Sequence, residues 1–122
     1  MTYIDGFVTP VAADVTEEAY RRFAAQAAPI LREHGALRVV EGWGDDVPDG
    51  ELTDFRRAVQ AADGETVVFS WIEWPDRATR DAGMAKMMAD PRMQPDVMPM
   101  PFDGRRMIYG GFRMLLDDRG SA

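Results

Sequence analysis

The stretch from Met100 to Leu116, MPFDGRRMIYGGFRMLL, predicts a tight turn followed by a strand. Pro101 fixes one backbone dihedral angle, and Asp103-Gly104 tolerates the positive φ angles of a turn. From about Arg106 to Leu116, both alternating sets of side chains are largely apolar. A strand that is apolar on both sides must be covered on both sides. We expect the protein's own helices to cover one side and a second copy of the chain to cover the other. Gly110-Gly111, in mid-strand, predicts a bulge or a close approach of another chain segment.

The composition indicates one ordinary globular domain over residues 1–122, with 46% hydrophobic and 29% charged residues. The 14 basic and 21 acidic residues give a net charge of -7, so a nucleic acid is not an expected partner. The absence of cysteine excludes disulfides and thiolate ligands. Neither a signal peptide nor an apolar run of ~20 residues is visible, so we expect a soluble, cytoplasmic protein that does not enter a membrane.

Ahead of this stretch, alternating apolar residues predict three further strands and one weakly strand-like run. The strands are Tyr3 to Val11, Ala36 to Gly44 and Thr66 to Trp74, and the weak run is Phe55 to Ala61. A helix between the first two strands is expected to begin in a capping box with Asp14 as its N-cap and to end at Gly35. A second helix is expected from Asp76 to Asp90.

This order of elements predicts the ferredoxin-like split βαβ pattern of the α+β class. It is a four-stranded antiparallel sheet with two helices on one face, in which strand 106–116 lies beside the first strand and strand 66–74 is also central. The other face would expose either Val67, Phe69 and Trp71 or Val68, Ile72 and Trp74. An apolar patch above ~400 Å² is rare on a monomer. We therefore expect a homodimer whose sheets pack face to face, as in a dimeric α+β barrel.

Several motifs resemble those of a known family over nearly the whole chain. They are His34-Gly35-Ala36-Leu37, Glu41 with residues 44–48 (GDDVP), residues 66–71 (TVVFSW) and residues 100–104 (MPFDG) followed by 106–112 (RMIYGGF). In these motifs the chain resembles the YbaA-like family of small bacterial proteins of unknown function. The resemblance implies a dimeric α+β-barrel fold and transfers no catalytic residue. The same superfold hosts cofactor-free monooxygenases, haem-degrading enzymes and simple binding modules.

His34 is the only histidine and, with Glu41, a candidate catalytic residue. As a general base it would face the sheet, assisted by Glu41 or Asp45. Alternatively, it interacts with free carbonyl groups at the end of its helix. Glu41 needs a partner, in either a ligand-binding pair or a structural ion pair. The arginines that could supply it are Arg38, Arg106 and Arg113. A metal site is not expected, because one histidine without cysteine would depend on carboxylates whose spacing matches no known loop.

Five further residues are candidates for a ligand site between helices and sheet: Trp43, Trp71, Met98, Arg106 and Tyr109. The tryptophans could instead be core residues or interface anchors. Met98 belongs to the Pro- and Met-rich segment 92–101, which we expect to fold back as a cover over the ligand-facing end of the barrel.

Three functions follow as hypotheses. The first is a homodimer that binds a small, partly apolar molecule and has no built-in cofactor. The second is a cofactor-independent oxygenase or isomerase that uses His34 and a nearby carboxylate. The third is a purely structural dimer. A haem enzyme fits poorly, because the predicted helix 76–90 contains no histidine for an axial ligand.

Overall fold

The computed structural model describes residues 1–120 of the chain. Within them lie four strands: β1 (Tyr3–Val11), β2 (Arg38–Trp43), β3 (Thr66–Trp74) and β4 (Ile108–Arg113). The helices are α1 (Glu17–Glu33), α2 (Phe55–Ala58) and α3 (Arg77–Ala89), followed by a 3-10 turn at Pro91–Met93. All strand pairs are antiparallel, in the order β2-β3-β1-β4. The predicted ferredoxin-like sheet, with β1 and β3 at its centre, is confirmed.

Three local predictions were wrong. The run Phe55 to Ala61 contains the short helix α2 instead of a strand, because the Asp54 carboxylate accepts a hydrogen bond from the backbone N–H of Arg57 and starts a helical turn. The N-cap of α1 is Thr16, not Asp14, since the Thr16 hydroxyl accepts from the N–H of Ala19 at 3.0 Å.

The last strand is also shorter than residues 106–116, and its end has a simple cause. Arg113 pairs with Tyr3, the first residue of β1, so the neighbouring strand runs out at that point. One more hydrogen bond, from the N–H of Met114 to the carbonyl of Thr2, ends the ladder. Leu115 and Leu116 consequently extend into solvent.

α1 and α3 cover one face of the sheet, and the main core lies between them and the sheet. At one end of the core, the fully buried Trp74 packs with Tyr3, Ile72 and Leu31 of α1. At the other end, Val11 and Val68 pack against α1, in a cluster whose members also include Tyr20. Register places alternate residues of every strand on this helix side.

The opposite face, which we call the open face, is largely apolar. It includes Ile4 of β1, Val40 of β2, Phe69 and Trp71 of β3, and Ile108 and Phe112 of β4. The segment after α2 covers one end, where Val59 packs on Val8 and Val67, and the rings of Phe55 and Phe69 meet edge to face. Beyond that end the face is open to solvent, and 61% of Phe112 and 48% of Phe69 are exposed.

The segment 92–101 is folded by turns and tied to the end of α3. The carbonyl of Gln94 accepts hydrogen bonds from the N–H groups of Val97 and Met98 at 2.9 and 2.8 Å, and its side-chain amide donates to the carbonyls of Met88 and Asp90. Its apolar side chains are only partly covered, and 63% of Val97 is exposed. Of α1, α2 and α3, none is long and apolar enough to cross a membrane.

Candidate functional site

His34 lies just beyond the last turn of α1 and contacts the end of α3. Its Nε2 atom is 2.8 Å from Oδ2 of Asp90, and both side chains are largely buried. Its backbone N–H donates to two carbonyl groups of the last turn of α1, as expected for a helix end. The carboxylate that pairs with His34 is therefore Asp90, and not Glu41 or Asp45.

Arg92 completes this cluster. Its Nε and Nη2 atoms donate to the Asp90 carboxylate at 3.0 and 2.7 Å, and Nη2 also donates to Oε2 of Glu33 at 2.7 Å. These bonds from Arg92, together with the one to His34, hold the pKa of Asp90 well below its usual value. Asp90 is thus ionised at neutral pH, and the cluster fastens the ends of α1 and α3 to each other.

Glu41 belongs to a different contact. Its Oε1 atom accepts a hydrogen bond of 2.7 Å from the hydroxyl of Tyr20 on α1. Burial raises the pKa of Tyr20 well above its usual value, and the nearby charge of Glu41 adds to this effect. Partial burial also raises the pKa of Glu41, against the opposing effect of the Tyr20 hydrogen bond. Trp43 packs on the same tyrosine, with ring centroids 5.8 Å apart, so both β2 residues join the strand to α1.

Arg106 is engaged in a structural cluster. It binds the Glu65 carboxylate through Nη1 and Nη2 at 2.7 and 2.8 Å, and its Nε donates to Asp103 at 2.9 Å. Nη1 also donates to the carbonyl of Gln60. This bidentate pair joins the turn before β4 to the turn before β3, and lowers the pKa of Glu65 to about 2.

Trp71 lies on the open face, where its indole N–H donates to Glu73 at 2.9 Å. Glu73 also has Arg38 as a partner, at 3.5 Å. Tyr109 is on the helix side of edge strand β4, stacked on Phe7 and mostly exposed. Met98 is half-buried in the turn that follows the 3-10 turn. The sequence-predicted candidates are therefore spread over several contacts, and the structure does not bring them into one site.

A buried ion pair on the helix side was not anticipated from the sequence. The Asp5 carboxylate of β1 accepts hydrogen bonds from Nε and Nη2 of Arg80 at 2.8 to 3.1 Å, and from the indole N–H of Trp74 at 2.9 Å. The Arg80 guanidinium lies 5.1 Å from the centre of the Tyr3 ring. One signal was available, since Asp5 falls between the inward-facing Tyr3 and Phe7 and a charge at such a position needs a partner.

Two surface cavities are candidates for a ligand site. The larger, which we call the α3–β4 cavity, has a volume of about 320 Å³ and lies between the start of α3 and the helix side of β1 and β4. It is lined by Met1, Tyr3, Asp76, Arg77, Gly111 and Arg113. The second, of about 220 Å³, is an apolar hollow at the β2 end of the open face, beside Phe55 and Phe69. His34 and Glu41 line neither of the two.

Metal-binding groups are sparse in the described part of the chain. Residues 1–120 contain no group of three or more histidine, aspartate and glutamate side chains placed to hold a metal ion. The polar side chains among the residues that line the α3–β4 cavity are those of arginine, tyrosine and aspartate, which suit hydrogen bonding to a ligand better than metal coordination.

The sheet order, with α1 and α3 on one face and a largely apolar open face behind, defines a ferredoxin-like α+β protein. Residues 2–104 match the protein family of unknown function DUF1428, and the chain belongs to this family. It is 58% identical over 118 residues to the uncharacterized protein YbaA of Escherichia coli (strain K12) and to that of Shigella flexneri. In both comparisons the aligned region covers 97% of this chain and 100% of the relative. The resemblance drawn from the motifs is confirmed.

A solved structure has the same fold at low sequence identity. It is a dimeric ferredoxin-like protein from an uncultured marine organism, with a TM-score of 0.59 and 13% identity. The match covers 96% of this chain and 98% of that one. At this identity the likeness establishes the fold alone.

Proposed function

We propose that this protein is a homodimeric α+β barrel, formed by packing two open faces together, and that each subunit binds a small molecule in its α3–β4 cavity. The observation that carries the dimer is the row of apolar side chains across the open face, which α1 and α3 do not cover. Ile4, Val40, Phe69, Trp71, Ile108 and Phe112 lie on this side of all four strands, and Phe112 is 61% exposed. Covering such a row removes apolar surface from water.

A second copy of the chain suits this face better than an unrelated partner. β2 and β4 are both edge strands of the sheet. Two sheets related by a twofold axis along the strands would place β4 of one subunit beside β2 of its partner. Closing the sheets in this way would also remove the exposed edges. The structurally similar marine protein is dimeric, and this supports the same occupant here.

The ligand role is supported by the position and size of the α3–β4 cavity. Its volume of about 320 Å³ is at the lower end of the ~300 to 1,000 Å³ typical of small-molecule sites. It opens between a helix and the helix side of the sheet, although none of the five ligand candidates taken from the sequence lines it. Because the contacts of His34 lie elsewhere, binding without turnover is the function that the geometry supports best. We place the protein in the cytoplasm, since a chain without cysteine needs no oxidising compartment to fold.

Sedimentation velocity over a dilution series tests the dimer. The unmutated protein is expected to sediment as a dimer at about 10 μM, and Phe112→Lys as a folded monomer, because a lysine there would be stranded between the sheets. Leu52→Lys is the matched control, since Leu52 is 96% exposed in a loop and its replacement should leave the dimer intact. A well-folded monomer for the unmutated protein would end the proposal.

A further inference from the structure

The charges of the α3–β4 cavity differ from those of the chain as a whole. Its lining includes two arginines, Arg77 and Arg113, and one carboxylate, Asp76, in a protein whose net charge is -7. Within residues 1–120, Arg113 forms no ion pair, and Arg77 has only a long contact of 3.7 Å to Asp81. Such an exposed pair contributes little, so both guanidinium groups remain available to an anionic ligand.

The Tyr3 hydroxyl provides an independent sign that this cavity accepts a ligand. Tyr3 is only 8% exposed and lines the cavity, yet its hydroxyl has no hydrogen-bond partner among the described residues. No fully enclosed side-chain nitrogen or oxygen atom in residues 1–120 lacks a partner, so this hydroxyl is not fully enclosed, and the cavity that Tyr3 lines is the hollow beside it. A nearly buried, unpaired hydroxyl that faces a hollow is a donor ready for a ligand acceptor.

Gly111 keeps that hydroxyl accessible. A Cβ atom at position 111 would lie 2.5 Å from the Tyr3 hydroxyl and 2.6 Å from Nη2 of Arg80. Any side chain there would fill the space in front of both groups. β4 thus passes the Tyr3 hydroxyl as bare backbone, while Arg80 is already paired with Asp5 and Asp81.

We propose that the α3–β4 cavity binds the carboxylate of a small organic acid, with the Tyr3 hydroxyl donating a hydrogen bond and Arg113 and Arg77 supplying positive charge. This inference rests on the ligand role proposed above. The carboxylate of Asp76 caps α3 through the N–H of Thr79, and this bond lowers its pKa, so it stays ionised. The lining side chains therefore carry two positive charges and one negative charge, which a ligand with a single negative charge, such as a carboxylate, neutralises.

The test uses benzoate and benzamide, two probes of nearly equal size that differ in charge, with inorganic phosphate as a third. Binding is followed by backbone amide chemical shifts on the full chain. Benzoate is expected to give saturable shifts at Arg77, Gly111 and Arg113 below about 10 mM, whereas benzamide should bind at least about tenfold more weakly.

Two variants and one control complete the experiment. Tyr3→Phe removes only the hydroxyl and Arg113→Gln only a charge, and each is expected to weaken benzoate binding about tenfold. Arg105→Gln makes the same charge change at a side chain that is 93% exposed outside the cavity, and should bind as the unmutated protein does. Thermal melts confirm that each variant is folded.

Four results would overturn the carboxylate assignment. Three of them are the absence of saturable shifts with benzoate, preferential binding of phosphate, and benzoate binding that both variants leave unchanged. Equal binding of benzamide at the same amides would also overturn it, but would leave the proposed small-molecule site standing. Sedimentation of the same samples measures the oligomeric state independently of ligand binding. A failure of the dimer proposal can therefore be distinguished from a failure of the ligand proposal.

Discussion

The imidazole Nε2 of His34 lies 2.8 Å from Oδ2 of Asp90, so the one histidine of the chain joins the end of α1 to the end of α3. Arg92 binds the same carboxylate and extends the contact to Glu33. The cluster lies where two helices meet, and it lines neither of the cavities. Its position is explained by helix packing, without assigning it a reaction.

His34→Asn is expected to lower the free energy of unfolding by about 1 kcal/mol, because the variant loses the contact with the Asp90 carboxylate. The loss stays small because asparagine is also well tolerated at the end of a helix. Asp90→Asn should cost more, since Asp90 also accepts hydrogen bonds from the side chain and backbone of Arg92. Urea unfolding measures both. The dimer and benzoate binding should persist in His34→Asn, and loss of benzoate binding from a folded variant would contradict a purely structural role.

Asp5→Asn is expected to destabilise the protein by about 3 kcal/mol, because it leaves the largely buried Arg80 guanidinium without its charged partner. Glu18→Gln is the control, since the exposed pair of Glu18 and Arg21 should contribute no more than about 0.5 kcal/mol. Both variants are measured by urea unfolding at one pH. Equal effects of the two substitutions would show that the buried pair adds nothing beyond a surface pair.

Gly83→Ala tests the contact between α3 and the end of α1. Alanine normally stabilises a helix interior by up to ~1 kcal/mol over glycine. Here its Cβ would lie 2.5 Å from the carbonyl oxygen of His34 and 2.5 Å from the Trp74 ring. We expect a net loss of about 2 kcal/mol, because the helix must move away from the core.

The control for that substitution is Gly104→Ala, at a glycine whose added Cβ would meet no atom within 4 Å. Its effect should stay within about 0.5 kcal/mol. Thermal and urea unfolding of the two variants can be compared directly. A more stable Gly83→Ala protein would show that helix propensity outweighs the clash, and that α1 and α3 have room to separate.

The Glu65–Arg106 pair predicts a loss of stability in acid. Arg106 lowers the pKa of Glu65 from 4.5 to about 2 in the folded protein. A carboxyl whose folded pKa is lowered contributes its full stabilisation above its unfolded pKa and loses it as the pH falls towards the folded pKa. The contribution of Glu65 should therefore decline between pH 4.5 and pH 2.

Urea unfolding at about pH 5.5 and about pH 3 measures this decline. Glu65→Gln should be less stable than the unmutated protein at the higher pH and should lose less stability on acidification. Glu51→Gln, in an exposed loop, serves as the matched control and should follow the unmutated protein. Parallel declines in all three proteins would assign the acid sensitivity to other carboxylates, among them Asp90, whose pKa is also lowered.

The sheet could be predicted because its signal is local. In β3, Val68, Ile72 and Trp74 alternate with Phe69 and Trp71, and a strand with two apolar sides belongs at the centre of a sheet. The error at Phe55 to Ala61 arose because a helix of four residues is too short to show the 3.6-residue spacing of apolar side chains. The hydrogen bond from the N–H of Arg57 to the Asp54 carboxylate starts the helix instead.

The candidate site could be predicted much less well. His34 was identified as a residue of interest, but its partner Asp90 lies 56 positions away in the sequence. No spacing rule connects the two. Similarly, Gly110-Gly111 predicted a bulge or a close approach of another segment, but that segment could be identified as Tyr3 only once β1 and β4 are paired.

The sequence by itself determined the order of the four strands and the two long helices, the apolar alternation on both sides of β3, and the family. Periodicity, turn residues and motifs are properties of short segments and can be recognised without the fold. The tertiary structure alone decided that Phe69 faces outward while Ile72 is buried, that Asp5 pairs with Arg80, and that Arg77 and Arg113 flank one cavity. The physical reason is that a side chain's partners depend on strand register and helix placement. Both are fixed by burial of the whole core and not by any one segment.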